Sequence, residues 1–118
     1  YTTYINPYAR TQVSNARAAG MRVGGYHYSW YENENEAKAE ANYFAKNASD
    51  VGLTKADVMI NDLEENSISA NPNHTKNAQA FENQLKLLGY SNIQHYIGLN
   101  WINNGLINPQ VLGEKKYG

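Results

Sequence analysis

The sequence predicts an α/β domain in which a parallel sheet is covered by helices. Segments with helical apolar spacing alternate with short apolar runs, giving the order helix, strand, helix, strand, helix, strand, helix. The runs are centred near Gly25, Ile60 and Tyr96, about 35 residues apart, which is the length of one strand-plus-helix unit. Each run also carries aromatic or acidic residues at its carboxyl end, the edge where parallel α/β folds hold their ligands. The three units share no clear sequence similarity, so the repetition is architectural.

Each element has its own local signal. Asn6-Pro7 reads as a cap followed by proline in the first helical turn, with Ala9, Val13 and Ala16 at helical spacing and Gly20 as the stop. Met21 to Trp30 reads as a strand, and the pair Gly24-Gly25 within it predicts a bulge or the close approach of a neighbouring backbone. Asn33 caps the second helix, Glu34 and Glu36 complement its dipole, and Ala37, Ala41, Phe44, Ala45 and Ala48 form its buried stripe. Asp50 to Lys55 connects to a strand at Val58, and a polar loop runs from Glu65 to Asn73. A third helix is expected from Thr75 to Leu88, with Ala78, Phe81 and Leu85 inward and Gly89 as its stop. Ile93 to Asn100 is the third predicted strand, and Asn108-Pro109 predicts a short last helix ending near Gly118.

At 118 residues the chain is one domain with a modest core. Ten basic and eleven acidic residues leave it near neutral, which argues against a nucleic-acid partner. There is no long apolar run for membrane insertion, and Tyr1-Thr2-Thr3-Tyr4 lacks the basic and apolar regions of a signal peptide. Without cysteine there is neither a disulfide framework nor a thiolate metal site. No His, Asp and Glu cluster has metal-ligand spacing, so neither metal nor other cofactor is expected. The chain is rich in Tyr and Asn, side chains that pair apolar faces with neutral donors and acceptors and so suit a hydroxyl-rich ligand such as a sugar.

The stretch Val58-Met59-Ile60-Asn61-Asp62-Leu63-Glu64-Glu65 carries the chemistry. Alternation along a strand puts Val58, Ile60, Asp62 and Glu64 on one face and Met59, Asn61 and Leu63 on the other. Asp62 and Glu64 then stand about 6–7 Å apart along the backbone, at the end of an apolar wall. Burial and like-charge repulsion there can raise one carboxyl towards neutral pH, as a proton donor requires. The alternative is a strand end that meets solvent with acids on it. Glu65, of opposite parity, is expected to face solvent. Tyr28, Trp30, Tyr96 and Trp101 are placed to stack on sugars or to fill the rim, and Asn100, of the same parity as Tyr96, is a candidate hydrogen-bond donor. His27 is expected to be a packed, hydrogen-bonded core residue, and His74 and His95 are isolated in sequence.

Taken together, Asn15-Ala16-Arg17-Ala18-Ala19-Gly20, Val23-Gly24-Gly25-Tyr26-His27-Tyr28, Glu40-Ala41-Asn42-Tyr43-Phe44, Val58 to Glu64 and Gly89-Tyr90 before Tyr96 resemble the lysozyme-type muramidases of glycoside hydrolase family 25. The resemblance spans essentially the whole chain. It implies an irregular, TIM-like β/α barrel that cleaves the β-1,4 bond between N-acetylmuramic acid and N-acetylglucosamine in peptidoglycan, with Glu64 as general acid and Asp62 as its acidic neighbour. It also implies a cell-wall or extracellular enzyme of a bacterium, or a phage-encoded lysin. The family's domain is longer. Its first strand, with another active-site aspartate, is expected before Tyr1, and its last strands after Gly118, so that residues 1–118 form a single partial catalytic domain holding the central three strand units. Such a fragment is expected either to self-associate through open barrel edges or to be marginally stable. Two alternatives are a chitinase-like acetamido-sugar hydrolase and a non-catalytic cell-wall-binding module using the same aromatic rim.

Overall fold

The computed structural model describes residues 9–68, 70–112 and 116–117. Helix α1 (Ala9–Ala18) leads into strand β1 (Gly24–Tyr28), α2 (Glu34–Asp50), β2 (Val58–Leu63) and a single 3₁₀ turn (Asn66–Ile68). Helix α3 (His74–Leu87), β3 (Ile93–Ile97), α4 (Leu99–Asn103) and the two-residue β4 (Lys116–Tyr117) complete the described chain. The strands lie in the order β1-β2-β3-β4 and every neighbouring pair is parallel. The cap expected at Asn6-Pro7 lies outside the described residues.

Helix α2 starts where its chemistry dictates. The Asn33 side chain accepts the backbone N–H of Glu36 at 2.8 Å, and two glutamates occupy the first turn. It packs against α3, and the whole stripe Ala37, Ala41, Phe44, Ala45 and Ala48 is buried. Gly89, at φ +98°, ends the α3 segment in a conformation that other residues rarely adopt. The core lies between these two helices and one face of the sheet. Met59, Leu63, Ile93 and Ile97 of β2 and β3 meet Phe81 and Leu85 of α3 there. His27 clusters with Phe44 and Phe81, with ring centroids 5.2 and 5.6 Å away, so it is the packed core residue the sequence predicts.

The opposite face of the sheet is open. Tyr26 is 54% exposed and Val58, Ile60, Gln94 and Tyr96 are only half-buried. The register runs from Gly24↔Val58 to Tyr28↔Asp62 without a bulge, so Gly24-Gly25 serves close approach instead. A Cβ on Gly24 would lie 2.7 Å from the Val58 carbonyl oxygen, and one on Gly25 would lie 2.9 Å from the Phe44 ring.

Three expected boundaries are corrected. β1 ends at Tyr28 rather than Trp30, because the Trp30 N–H leaves the ladder and donates to the Glu40 carboxylate at 3.1 Å. β3 ends at Ile97 rather than Asn100. Gly98 N–H makes the last bond to Leu63 O at 2.9 Å, and the Trp101 and Ile102 N–H groups turn back onto Gly98 O, opening α4. No helix follows Asn108-Pro109 within the described residues. There Asn108 takes the Thr75 hydroxyl oxygen as acceptor for its N–H and accepts the Gln110 N–H on its own side chain, which makes a turn.

Candidate active site

The register assembles the site. Tyr28, Asp62 and Tyr96 are direct neighbours across β1, β2 and β3, so their side chains form one row on the open face at the carboxyl end of the sheet. Tyr26, one row earlier, reaches across and donates its hydroxyl hydrogen to Asp62 Oδ2 at 2.9 Å. Glu64 follows just past the end of β2 and remains half-buried. Gly98 lies beside it: a Cβ there would stand 3.0 Å from Glu64 Cβ, so the absence of a side chain at 98 gives Glu64 its space.

Asp62 is 1% exposed, an unusual position for a carboxylate. Burial pushes its carboxyl up to about 7; the Tyr26 hydrogen bond opposes this, and Glu64 beside it raises it further. Tyr28 Oη donates to Glu65 Oε1 at 2.9 Å, and burial followed by that carboxylate pushes the phenol up to about 12. Glu65 is held below its ordinary range, first by Ser67 and then by Tyr28.

Beneath the row, on the helix-facing side, lies a belt of buried polar groups. Register pairs His27, Asn61 and His95, and all three are at most 1% exposed. Asn61 Nδ2 donates to Tyr31 Oη at 2.8 Å and meets His95 Nδ1 at 2.9 Å, while its Oδ1 accepts the Ser29 hydroxyl. Because Nδ1 accepts, His95 carries its hydrogen on Nε2, which faces Glu82 Oε1 at 2.7 Å. His27 Nε2 meets Glu40 Oε1 at 2.7 Å. These partners fix the sheet end that carries Asp62.

The fold separates the sequence candidates. Asp62, Glu64, Tyr28 and Tyr96 converge on one rim, and Trp30, 42% exposed, lies with its ring 5.9 Å from that of Tyr28. Trp101 does not join them. It is 1% exposed, packed on His74 at 4.1 Å, and in this arrangement it fills the core instead of presenting a face to a sugar. Asn100 is exposed on α4, so strand parity does not align it with Tyr96. Two residues not singled out as candidates from sequence belong to the rim: Tyr26, on Asp62, and Glu65, which holds Tyr28 instead of facing solvent freely. Strand parity already put Tyr26 on the same face as Tyr28. Nothing local signalled Glu65.

The chain is similar in sequence and in fold to known proteins. A 95-residue stretch is 30% identical to a lysozyme of Streptococcus phage Cp-7, covering 80% of this chain and 25% of that protein. The fold matches GHIP, described as a glycosyl hydrolase 25 of Streptococcus pneumoniae participating in host cell invasion, with a TM-score of 0.67 at 20% identity over 88% of this chain and 43% of that one. It also matches the modular autolysin LytC of Streptococcus pneumoniae in complex with a synthetic peptidoglycan ligand, with a TM-score of 0.69 at 15% identity over 87% of this chain and 26% of that one. The chain thus spans about a quarter of the phage lysozyme's length. The family model for glycosyl hydrolases family 25 matches residues 2–117, and the chain belongs to that family.

Proposed function

We propose that this chain supplies the central strand-and-helix units of a TIM-like β/α barrel that hydrolyses peptidoglycan, cleaving the β-1,4 bond between N-acetylmuramic acid and N-acetylglucosamine. The observation that carries the reading is the Asp62–Glu64 pair at the carboxyl end of β2, with Asp62 held near 7 by burial and by its neighbour. Family membership and the lysozyme and autolysin relatives support the same substrate class.

Glu64, half-buried, meets the glycosidic oxygen and delivers the proton as the bond breaks. Asp62, buried beside it and raised by burial, acts through Glu64 by fixing its position and its electrostatic setting. Tyr28, Trp30 and Tyr96 offer ring faces to the sugars, and Asn100, exposed on α4, is a further hydrogen-bonding candidate. Two carboxylates on one strand cannot flank a sugar ring from opposite sides. The group that attacks the anomeric carbon is therefore a carboxylate on a flanking strand of the parent protein, or the substrate's own acetamido oxygen.

Glu64→Gln in the parent protein tests the assignment. It keeps shape and removes the transferable proton, so lysis of purified cell walls should fall by about 10²–10⁴-fold. Near-normal turnover would remove Glu64 from the acid role. If the native protein binds walls without cleaving them, and Glu64→Gln leaves binding unchanged, the module is a binder and not an enzyme.

A further inference from the structure

Glu65 follows directly after the proposed acid, and each of its carboxylate oxygens is engaged. Oε1 accepts the Tyr28 hydroxyl at 2.9 Å, and Oε2 accepts the backbone N–H of Ser67 at 3.0 Å. Its carbonyl accepts the Ile68 N–H at 3.4 Å, which closes the 3₁₀ turn Asn66–Ile68. That turn is anchored in the core. Ile68 is 8% exposed and its carbonyl is met by the buried His74 Nε2 at 2.9 Å. On the other side Gly98 closes against Glu64, with the Gly98 N–H on Leu63 O at 2.9 Å.

We propose that Glu65 is a positioning residue for Glu64: by tying the end of β1 through Tyr28 to the turn after β2, it holds the backbone of Glu64 from the β1 side while Gly98 holds it from the β3 side. The inference rests on the hydrolase reading for what Glu64 does. A consequence follows for Tyr28. Its single hydroxyl hydrogen is committed to Glu65, so it presents to a sugar only its ring and an acceptor oxygen. A side chain that holds a reacting group in place acts on the turnover step, because small displacements of that group cost rate more than binding.

The test uses Tyr28→Phe, Glu65→Gln and the double variant of the parent protein, with Glu64→Gln as the control. In Glu65→Gln the amide nitrogen either faces Ser67 N–H and loses that bond, or turns to the Tyr28 hydroxyl and donates to it, replacing two charge-assisted bonds by weaker neutral ones. Each single variant should lower kcat for wall hydrolysis by about tenfold with KM within about twofold, and the double variant should be no worse than the poorer single one. Exchange of the Ser67 and Ile68 amides should quicken in Glu65→Gln, a readout independent of turnover. Unchanged kcat in both single variants while Glu64→Gln abolishes turnover would overturn the clamp and leave the hydrolase reading standing. So would multiplicative losses, or a loss confined to KM. Turnover retained in Glu64→Gln would instead strike the hydrolase reading, and Glu65 would then position nothing catalytic.

Discussion

Asp62→Asn should stabilise the protein while damaging its chemistry. In the unfolded chain Asp62 titrates near 3.8, and in the fold burial raises it to about 7. For an acid raised on folding, the favourable contribution is complete below the unfolded value and is lost as pH climbs through the folded one. Ionised Asp62 therefore opposes folding above pH 7. A shift of about three units at 1.36 kcal/mol each corresponds to about 4 kcal/mol. Asparagine matches the shape of aspartate, keeps an oxygen for the Tyr26 hydroxyl and carries no charge. Urea unfolding of both proteins from pH 4 to pH 8 should show little difference at pH 4 and a gap in favour of the variant that opens between pH 4 and 7, reaching up to about 4 kcal/mol at pH 8. Wall lysis by the variant should fall over the same range, the trade expected of a site kept strained for function. A stability gap that does not change with pH, or a wild type more stable at pH 8, would refute the reasoning, because it would mean that Asp62 is not the carboxyl displaced by folding.

Three further outcomes follow from the packing. Gly24→Ala drives a methyl into Val58 Cγ1 and to 2.7 Å from its carbonyl oxygen, so it should cost about 1–3 kcal/mol in chemical denaturation; a neutral result would mean β1 and β2 can part freely. Asn61→Leu leaves Ser29, Tyr31 and His95 each short of a partner, at about 1–3 kcal/mol for each group left unsatisfied, and it should broaden or abolish the unfolding transition. Among the described residues β1 has no partner on its outer edge and the face around Ile60 and Tyr26 is open, so the 118-residue chain should prove self-associated in sedimentation or marginally stable in urea; a stable monomer would refute this.

What the sequence revealed and what it concealed divide along physical lines. The alternation of elements, the Asn33 cap, the alanine stripe of α2, the stop at Gly89 and the parity of β2 rest on contacts within a few residues, and all are readable from spacing and side-chain chemistry. The turn at Gly98 was not, because Ile93 to Asn100 keeps a strand-like composition and only the contact of Gly98 with Glu64 and Leu63 explains where the ladder stops. That single boundary carries Asn100 and Trp101 onto α4, the first exposed and the second in the core. The polar belt joins Ser29, Asn61, His95 and Glu82, groups brought together by register and by helix docking, and histidines that look isolated in sequence become partners only there. Tyr26 lay within reach, since the parity that selects Tyr28 also selects Tyr26.

Asn61 and Asp62 are consecutive, and the pleat sends them to opposite sides of one strand. On the helix side the buried polar groups of the belt hydrogen-bond one another, and that satisfied layer specifies how β1, β2 and β3 align. On the open side a buried carboxyl is left with a single phenol donor and a like-charged neighbour, and that imbalance is what keeps a proton available near neutral pH. The rigid belt is what makes the strained pair tolerable, because the strand bearing Asp62 cannot shift to let water in without breaking the bonds of Asn61. Substitutions at adjacent positions should therefore act on stability with opposite sign at pH 8: Asn61→Leu destabilising, Asp62→Asn stabilising. If both destabilise at that pH, the two faces are not dividing support and chemistry between them.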